Sequence, residues 1–423
     1  MSTHYNIVGA GIGPFHLSLA AMLEKIPKVT PLFLDQRAEF RWHPEILHHD
    51  ADMQTSFYKD FVTPVDPTSR HSFLNYLVEH GLFYAFMNTG RQNITRLEFE
   101  QYGRWVAGRL ENLKFNTKVR EVTFEENKFV VKTDSETFTS DHFSFATGAT
   151  PYVPECAKPH EGRNVFHPKS GKLEGMNVEG KRIVIVGGGQ TGVEIFRNIL
   201  HGKWGRPQSV KLITKRKNLE PLDESPFTNE YFTPGYNEEF FPLGQSSKEE
   251  IVASQKLASD GNTPVYLELL YKDLYLFRHV MKNAVDFEIL PKRTLVNMTS
   301  KDSGYELGFT NAFNGNSESL DADIVILSTG FKNNLPEAIN GLKDHISFDE
   351  KGRLHLERSF KVKTNLPVEN KLFALNFSRH SHGISEPQTS LMAWRSAMIA
   401  NEILGDEFYK TTAVPGFLTY GSK

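Results

Sequence analysis

The chain has 423 residues, 39% hydrophobic and 23% charged, with a net charge of −3; this is a globular composition, long enough for two or three domains of about 150 residues, and it lacks the basic excess of a nucleic-acid-binding surface. Its one cysteine, Cys156, excludes an internal disulfide and a dithiol redox pair. No run reaches the roughly 18 apolar residues that span a bilayer, and the N-terminus lacks the basic start and cleavage site of a secretion signal, so the expectation is a soluble, cytoplasmic protein with neither nucleic acid nor membrane as partner.

In chain order, an apolar run at residues 5–8 enters the turn "GAGIGP" and then "FHLSLAAMLEKI", where Phe15, Leu19, Met22, Leu23 and Ile26 recur at helical spacing. A second strand is predicted at "PLFLD", ending on Asp35. Residues 38–70 read as loop, and "HSFLNYLVEHGLFYAF" returns to a helical pattern. Strand signals resume at "FVVKT" and end at "HFSFATGATPYVP". The order strand, glycine turn, helix then repeats at "KRIVIVGGGQTGVEIFRNILHG", with Gly202 as the expected C-terminal cap, followed by the strand "SVKLITKRK". From 220 to 290 the pattern is loops and aromatic-rich helix such as "PVYLELLYKDLYLFRHVM". "ADIVILSTG" is a strand ending at Gly330, and the chain closes with the strand "KLFALNF" and the helix "SLMAWRSAMIANEIL".

A strand running into a glycine turn and a helix directs free backbone N–H groups and the positive helix end at a pyrophosphate, and side chains in that turn would hold the phosphates away. The first turn offers Gly9, Gly11 and Gly13 before Pro14, whose missing N–H costs nothing in a first helical turn. The second gives a full G-x-G-x-x-G with Gly187, Gly189 and Gly192, and Gln190 opens its helix. The next strand tells the two apart. Asp35 stands where a carboxylate accepts from ribose hydroxyls, whereas Lys215, Arg216 and Lys217 end the equivalent strand of the second unit and would attract a 2′-phosphate. The inference is FAD in the first site and NADPH in the second. The Thr-Gly turns at Gly148 and Gly330 are expected to pass close to a bound dinucleotide.

The expected class is α/β, with two Rossmann-like dinucleotide-binding domains and a small helical substrate-binding region. The expected division is an FAD-binding part over 1–165, an NADPH domain over 166–330 with the helical insert at about 220–290, and the rest of the FAD domain over 331–423. With a single cysteine, a disulfide is excluded as electron acceptor; dioxygen is the leading acceptor, a quinone or another protein the lesser one. The run from His48 to Asp52 places ligand types side by side on one loop with no partner motif, and no metal site is expected.

The stretches "GAGIGPFHLSLA", "MQTSFYKDFVTPVDPTSRHSFLNYL", "IVGGGQTGVE", "DESPFTNEYFTP" and "HGISEPQTSLMAWR" together resemble the N-hydroxylating flavoprotein monooxygenases of siderophore biosynthesis, with the lysine N6-hydroxylase branch the nearest likeness and the ornithine N5- and diamine hydroxylases as relatives. The resemblance runs over nearly the whole chain. It implies that Gln54 lies by the isoalloxazine, that Lys59 faces the far end of the substrate, where amino-acid hydroxylases place the α-carboxylate, that Asn229 contacts substrate and nicotinamide ribose, and that Ser390 lines the substrate pocket. The ornithine enzymes carry an "N-Y-S" segment that helps to hold substrate; here Asp260-Gly261-Asn262-Thr263 departs from it, leaving Asn262 as the candidate. The resemblance also implies a homodimer or homotetramer.

The implied reaction is reduction of FAD by NADPH, addition of O2 to give a C4a-hydroperoxyflavin, and attack by the terminal primary amine of a small aliphatic amine, a putrescine- or cadaverine-type diamine or L-lysine. The amine must be neutral to attack, which for an alkylammonium of pKa about 10.4 costs roughly 4 kcal/mol near neutrality. Lys59 favours lysine by charge, while the altered segment at 260–263 tilts the expectation slightly toward a diamine. Two other readings stand beside this one. A two-dinucleotide monooxygenase of the sulfide- and amine-oxidising or Baeyer-Villiger type would carry F-x-G-x-x-x-H-x-x-x-[YF], which is absent, and a non-catalytic NADPH-binding protein would bind nucleotide without amine-stimulated oxygen uptake.

Overall fold

The computed structural model describes residues 3–46, 51–282, 285–412 and 415–421; His48, His49 and Asp50 lie outside them. The first glycine turn belongs to a seven-stranded sheet. Its strand Thr3–Ala10 buries Ile7 to Ala10 in an unbroken row, as a parallel strand covered on both faces requires. Pro31–Leu34 and Thr137–Phe145 flank it, both parallel to it. The long strand Thr137–Phe145 has two partners on its far side. Its start pairs antiparallel with Lys128–Thr133, and its end pairs parallel with Leu372–Ala374, so a segment from late in the chain completes the first sheet. The helix Pro14–Leu23 buries every residue from His16 to Leu23 because it is sandwiched between this sheet and the helix Met392–Leu404. Ser396 bridges the two helices to Ser18 at 2.9 Å.

The second turn belongs to a five-stranded, all-parallel sheet in the spatial order Val165–Phe166, Ile324–Leu327, Arg182–Val186, Ser209–Thr214 and Asp286–Pro291. The expected boundary between 165 and 166 therefore cuts a strand whose two residues both pair in the second sheet, and the change of unit falls earlier. The expected end of the insert near 290 likewise overlaps the edge strand Asp286–Pro291. The helix Gln190–Leu200 ends at Gly202 in the left-handed region, φ 77°. The Gly202 N–H reaches the Ile199 carbonyl at 2.9 Å and the Lys203 N–H reaches Asn198 at 3.1 Å, which closes a Schellman motif.

An antiparallel meander, Arg293–Ser300, Tyr305–Asn311 and Ser317–Ala322, was not legible in the sequence. It lays Met298, Leu307 and Phe309 over Val184, Ile213 and Val325 of the second sheet. The segment read as one helix near residue 80 is two, Phe73–Glu79 and Phe83–Met87, separated at Gly81 with φ 68°. The insert is built from helices including Pro234–Phe240, Gln245–Ser254 and Pro264–Tyr275. The chain leaves the first unit through Thr150–Pro151 and returns through Phe331–Lys332, and these two segments pair antiparallel with each other. Among the described residues no helix is long and apolar enough to cross a membrane.

Candidate active site between the two glycine turns

The two turns open onto one cleft of about 1680 Å3, larger than the roughly 300–1,000 Å3 that holds a single drug-sized ligand. In the first turn Gly11 has φ +92°, and a Cβ there would sit 2.7 Å from the Ala146 carbonyl oxygen, so only glycine fits. His16 staples this turn from below. Its Nδ1–H donates to the Gly11 carbonyl at 2.6 Å and its Nε2 accepts from the Ser144 hydroxyl at 2.7 Å. Burial lowers its pKa to about 4, which keeps the ring neutral and therefore supplies one donor and one acceptor. Asp35 lines the cleft and also ties the turn down, its Oδ2 accepting from the Ile12 N–H at 2.7 Å and its Oδ1 from the Arg37 N–H at 2.8 Å.

The glycines of the first turn have different tasks. Gly9 does not line the cleft; a Cβ there would strike the Phe33 ring at 2.3 Å, so it serves the packing of strand on strand. Gly13 caps the helix with φ −91° and Pro14 follows in the first turn. Both line the cleft, and a Cβ on Gly13 would meet no protein atom within 4 Å. Gly13→Ala is therefore expected to leave the fold intact and to weaken the dinucleotide held there by about tenfold or more, since the added methyl meets only the ligand. Retention of FAD on dilution measures this, and unaltered retention would remove the turn from the site.

In the second turn Gly187 has φ +127° with its would-be Cβ 2.0 Å from the Ser328 carbonyl oxygen, and a Cβ on Gly192 would likewise fall 2.0 Å from the Gly187 carbonyl oxygen. Gly192 thus shapes the turn from behind, while Gly187, Gly189 and Gln190 line the cleft. Gln190 accepts from the Thr263 N–H at 2.8 Å and donates to Glu194 at 2.9 Å, joining the helix start to the insert. The basic trio separates. Lys215 and Arg216 line the cleft; Lys217 does not, and turns out to Glu220 at 3.7 Å with its side chain 74% exposed. Gly148 and Gly330, with φ 76° and 82°, both line the cleft.

The substrate candidates are more scattered. Gln54 lines the cleft and reaches the Gly261 carbonyl at 3.4 Å. Lys59 lies just behind the cleft wall, beside a small void that it shares with Met53, Thr55 and Thr389, three residues that also line the cleft. Burial pulls its pKa below the usual lysine value, and no ion pair engages its ammonium among the described residues. Its neighbour Asp60 cannot serve it, since that carboxylate takes the N–H groups of Val62, Thr63 and Phe73 at 2.7–2.9 Å. Ser390, expected to line the pocket, is buried behind the cleft wall, where it contacts Thr55 at 3.4 Å, while its neighbours Gln388 and Thr389 line the cleft.

Two more of the candidates do not line the cleft. Asn229 is exposed and off the cleft, because Thr228 and Phe232 are the buried face of its short helix. The chain end lies against this helix, with Glu230 accepting from the N–H groups of Phe417 and Leu418 at 2.9 and 3.0 Å. Asn262 is fully buried and donates to the carbonyls of Gly188 and Glu220, each at 3.1 Å; it braces the second glycine turn instead of facing a substrate. The sequence reading also missed Trp42 and His43, which line the cleft on a loop fixed by Glu100, whose carboxylate accepts from the Trp42 N–H at 2.9 Å and from Arg41 at 3.1 Å. A loop without periodicity carries no signal for this, although its density of cationic and aromatic residues was visible.

A fold with two glycine-turn cradles facing one cleft defines a two-dinucleotide oxidoreductase. Residues 3–333 match the family described as L-lysine 6-monooxygenase/L-ornithine 5-monooxygenase. The chain is 36% identical to the L-lysine N6-monooxygenase of Escherichia coli over 100% of both chains. Among solved structures it is similar to the cadaverine monooxygenase of Erwinia amylovora bound to FAD, with a TM-score of 0.93 and 28% identity over 100% of this chain and 99% of that one. It is also similar to an ornithine N-hydroxylase of Kutzneria sp. 744 holding reduced FAD, NADP+ and L-ornithine, with a TM-score of 0.88 and 25% identity over 95% and 99%. The chain belongs to the L-lysine 6-monooxygenase/L-ornithine 5-monooxygenase family, and is thereby a flavin-dependent N-hydroxylating monooxygenase.

Proposed function

We propose that the protein uses FAD in the first cradle and NADPH in the second to place one oxygen atom of O2 on the terminal amine of L-lysine, giving the hydroxylamine from which hydroxamate siderophores are built. The residues fit both groups: Gly11 and Gly13 leave a side-chain-free rim, with the Asp35 carboxylate beside it, for one dinucleotide, and Gly187 and Gly189, with Lys215 and Arg216 beside them, leave a cationic one for the other. Bound flavin supplies the activation of dioxygen.

The chain's own residues bind, orient and dry the reactants. The observation that carries the choice of lysine is the Lys59 ammonium, half-buried and without a carboxylate partner among the described residues. An α-carboxylate completes that charge, whereas a second ammonium would be repelled. The altered segment at 260–263, where Asn262 braces the glycine turn, stays on the diamine side of the choice and is outweighed here by that Lys59 charge. Gln54 lines the cleft and is assigned here to orient the reacting amine. A diamine is the second reading, favoured by the likeness to the cadaverine monooxygenase.

Lys59→Ala is expected to raise KM for L-lysine about tenfold to a hundredfold, the value of a charge-assisted hydrogen bond, while leaving KM for cadaverine within about threefold. Hydroxylamine formation across lysine, ornithine, putrescine and cadaverine measures both. Equal losses on lysine and cadaverine, or a wild-type preference for the diamine, would defeat the lysine assignment.

A further inference from the structure

Two arginines meet at Asp260, one from each unit. Arg216, just past the end of the second strand of the nicotinamide unit, donates from Nη2 to the Asp260 backbone carbonyl at 2.8 Å. Arg379 arrives from the opposite side, on the segment that follows the strand Leu372–Ala374 of the first sheet. It donates to the Ser259 hydroxyl at 3.3 Å and stands 3.6 Å from the Asp260 carboxylate. Both side chains line the cleft. Neither guanidinium is saturated: Arg216 Nη1 and Arg379 Nε are buried without an acceptor among the described residues. An unmet buried donor is destabilising, more so when it is charged, so two of them from two arginines call for an anion with several oxygens. Lys215 and Lys256 stand exposed on the same rim.

We propose that Arg379 is a second reader of the nucleotide 2′-phosphate, contributed by the flavin-binding part of the chain, so that the phosphorylated carrier is gripped from both units while its unphosphorylated counterpart is gripped from one. The fork geometry of guanidinium suits a phosphate with more than one free oxygen. The position also accounts for why the sequence concealed it: the strand-end trio is local to the second turn, whereas Arg379 lies in "SRHSHG", far along the chain and part of the other sheet's return.

The inference rests on the second cradle being the NADPH site, and the experiment separates the two. Binding of adenosine 2′,5′-bisphosphate and of 5′-AMP to the FAD-loaded protein is measured by calorimetry for the wild type, Arg379→Gln, Arg379→Lys and Arg216→Ala. The ratio of kcat/KM for NADPH over NADH in anaerobic flavin reduction is measured in parallel. Arg379→Gln is expected to weaken the bisphosphate about tenfold, the value of one charge-assisted contact, with a matching fall in the NADPH to NADH ratio and with 5′-AMP affinity moved less than twofold. Arg379→Lys should restore part of the loss, and Arg216→Ala should show a loss of its own. If Arg379→Gln weakens both probes equally, or lowers both nucleotide rates by the same factor, Arg379 only props the insert and the proposal falls. If Arg216→Ala loses discrimination and Arg379→Gln does not, the proposal falls while the NADPH reading stands. If neither variant discriminates, the NADPH reading falls and takes the proposal with it.

Discussion

Replacing Gly187 by alanine is expected to lower kcat/KM for NADPH by at least about a hundredfold while the protein keeps its yellow flavin. The Cβ would stand 2.0 Å from the Ser328 carbonyl oxygen, at a φ of +127°, so the backbone at the end of Arg182–Val186 must shift. Displacing rigid neighbours and holding an L residue in that region together cost about 3 kcal/mol or more, and about 2.7 kcal/mol is a hundredfold. Ser328 begins the turn that carries Gly330 at the cleft, so the damage spreads along the nucleotide wall. The first cradle shares no strand with this turn, which is why flavin content should survive. Anaerobic stopped-flow reduction reads the rate, and the visible spectrum reads the flavin. A variant that reduces at the wild-type rate would show that the second turn does not hold the hydride donor.

Acidification should destabilise the protein well above the range in which carboxylates titrate. His16 and His382 are both fully buried, and burial lowers their pKa values from 6.5 to about 4 and about 3. His382 lies flat on Phe360 at 4.2 Å, and His16 has both nitrogens committed. A histidine whose folded pKa is depressed is neutral in the fold and charges more readily when unfolded. Its contribution is therefore complete above pH 6.5 and is lost as pH falls toward the folded value. At pH 5 each forfeits roughly 2 kcal/mol by the 1.36 kcal/mol per unit conversion, or roughly 4 kcal/mol for the pair, a sizeable fraction of the 5–15 kcal/mol that holds most domains together. Urea unfolding of the holoprotein at pH 7.5 and 5 gives the difference. A stability unchanged over that interval would mean that these rings find room for a proton.

What the sequence disclosed is what local periodicity can disclose. The two strand, turn and helix units were legible because buried parallel strands are continuous apolar runs and because Gly11 and Gly187 need a conformation other residues avoid. The opposite charge of Asp35 and the 215–217 cluster separated the cradles for the same reason, each lying a fixed distance from its own turn. Orientation at a strand end is a different matter. Past Thr214 regular pairing stops and alternation no longer governs where side chains point, so no local pattern separates Lys215 and Arg216, which stay on the cleft, from Lys217, which turns to Glu220. Asn229 and Asn262 were assigned by likeness to motif positions, and their surroundings are set by tertiary contacts that no local pattern encodes: a helix face in one case and the underside of a glycine turn in the other. The meander over 293–322 escaped because its strands carry short, broken alternation, with a bulge between Leu295 and Asn297.

The double crossing between the units has a mechanical consequence. Thr150–Pro151 and Phe331–Lys332 are bonded to each other, the Tyr152 N–H holds the Gly330 carbonyl at 2.8 Å, and Lys332 sits 4.1 Å over the Tyr152 ring. Two independent tethers would let the nicotinamide half wander; a laced pair acts as one pivot. Any swing of that half must flex both threads together, so it is confined to a rotation about the laced pair.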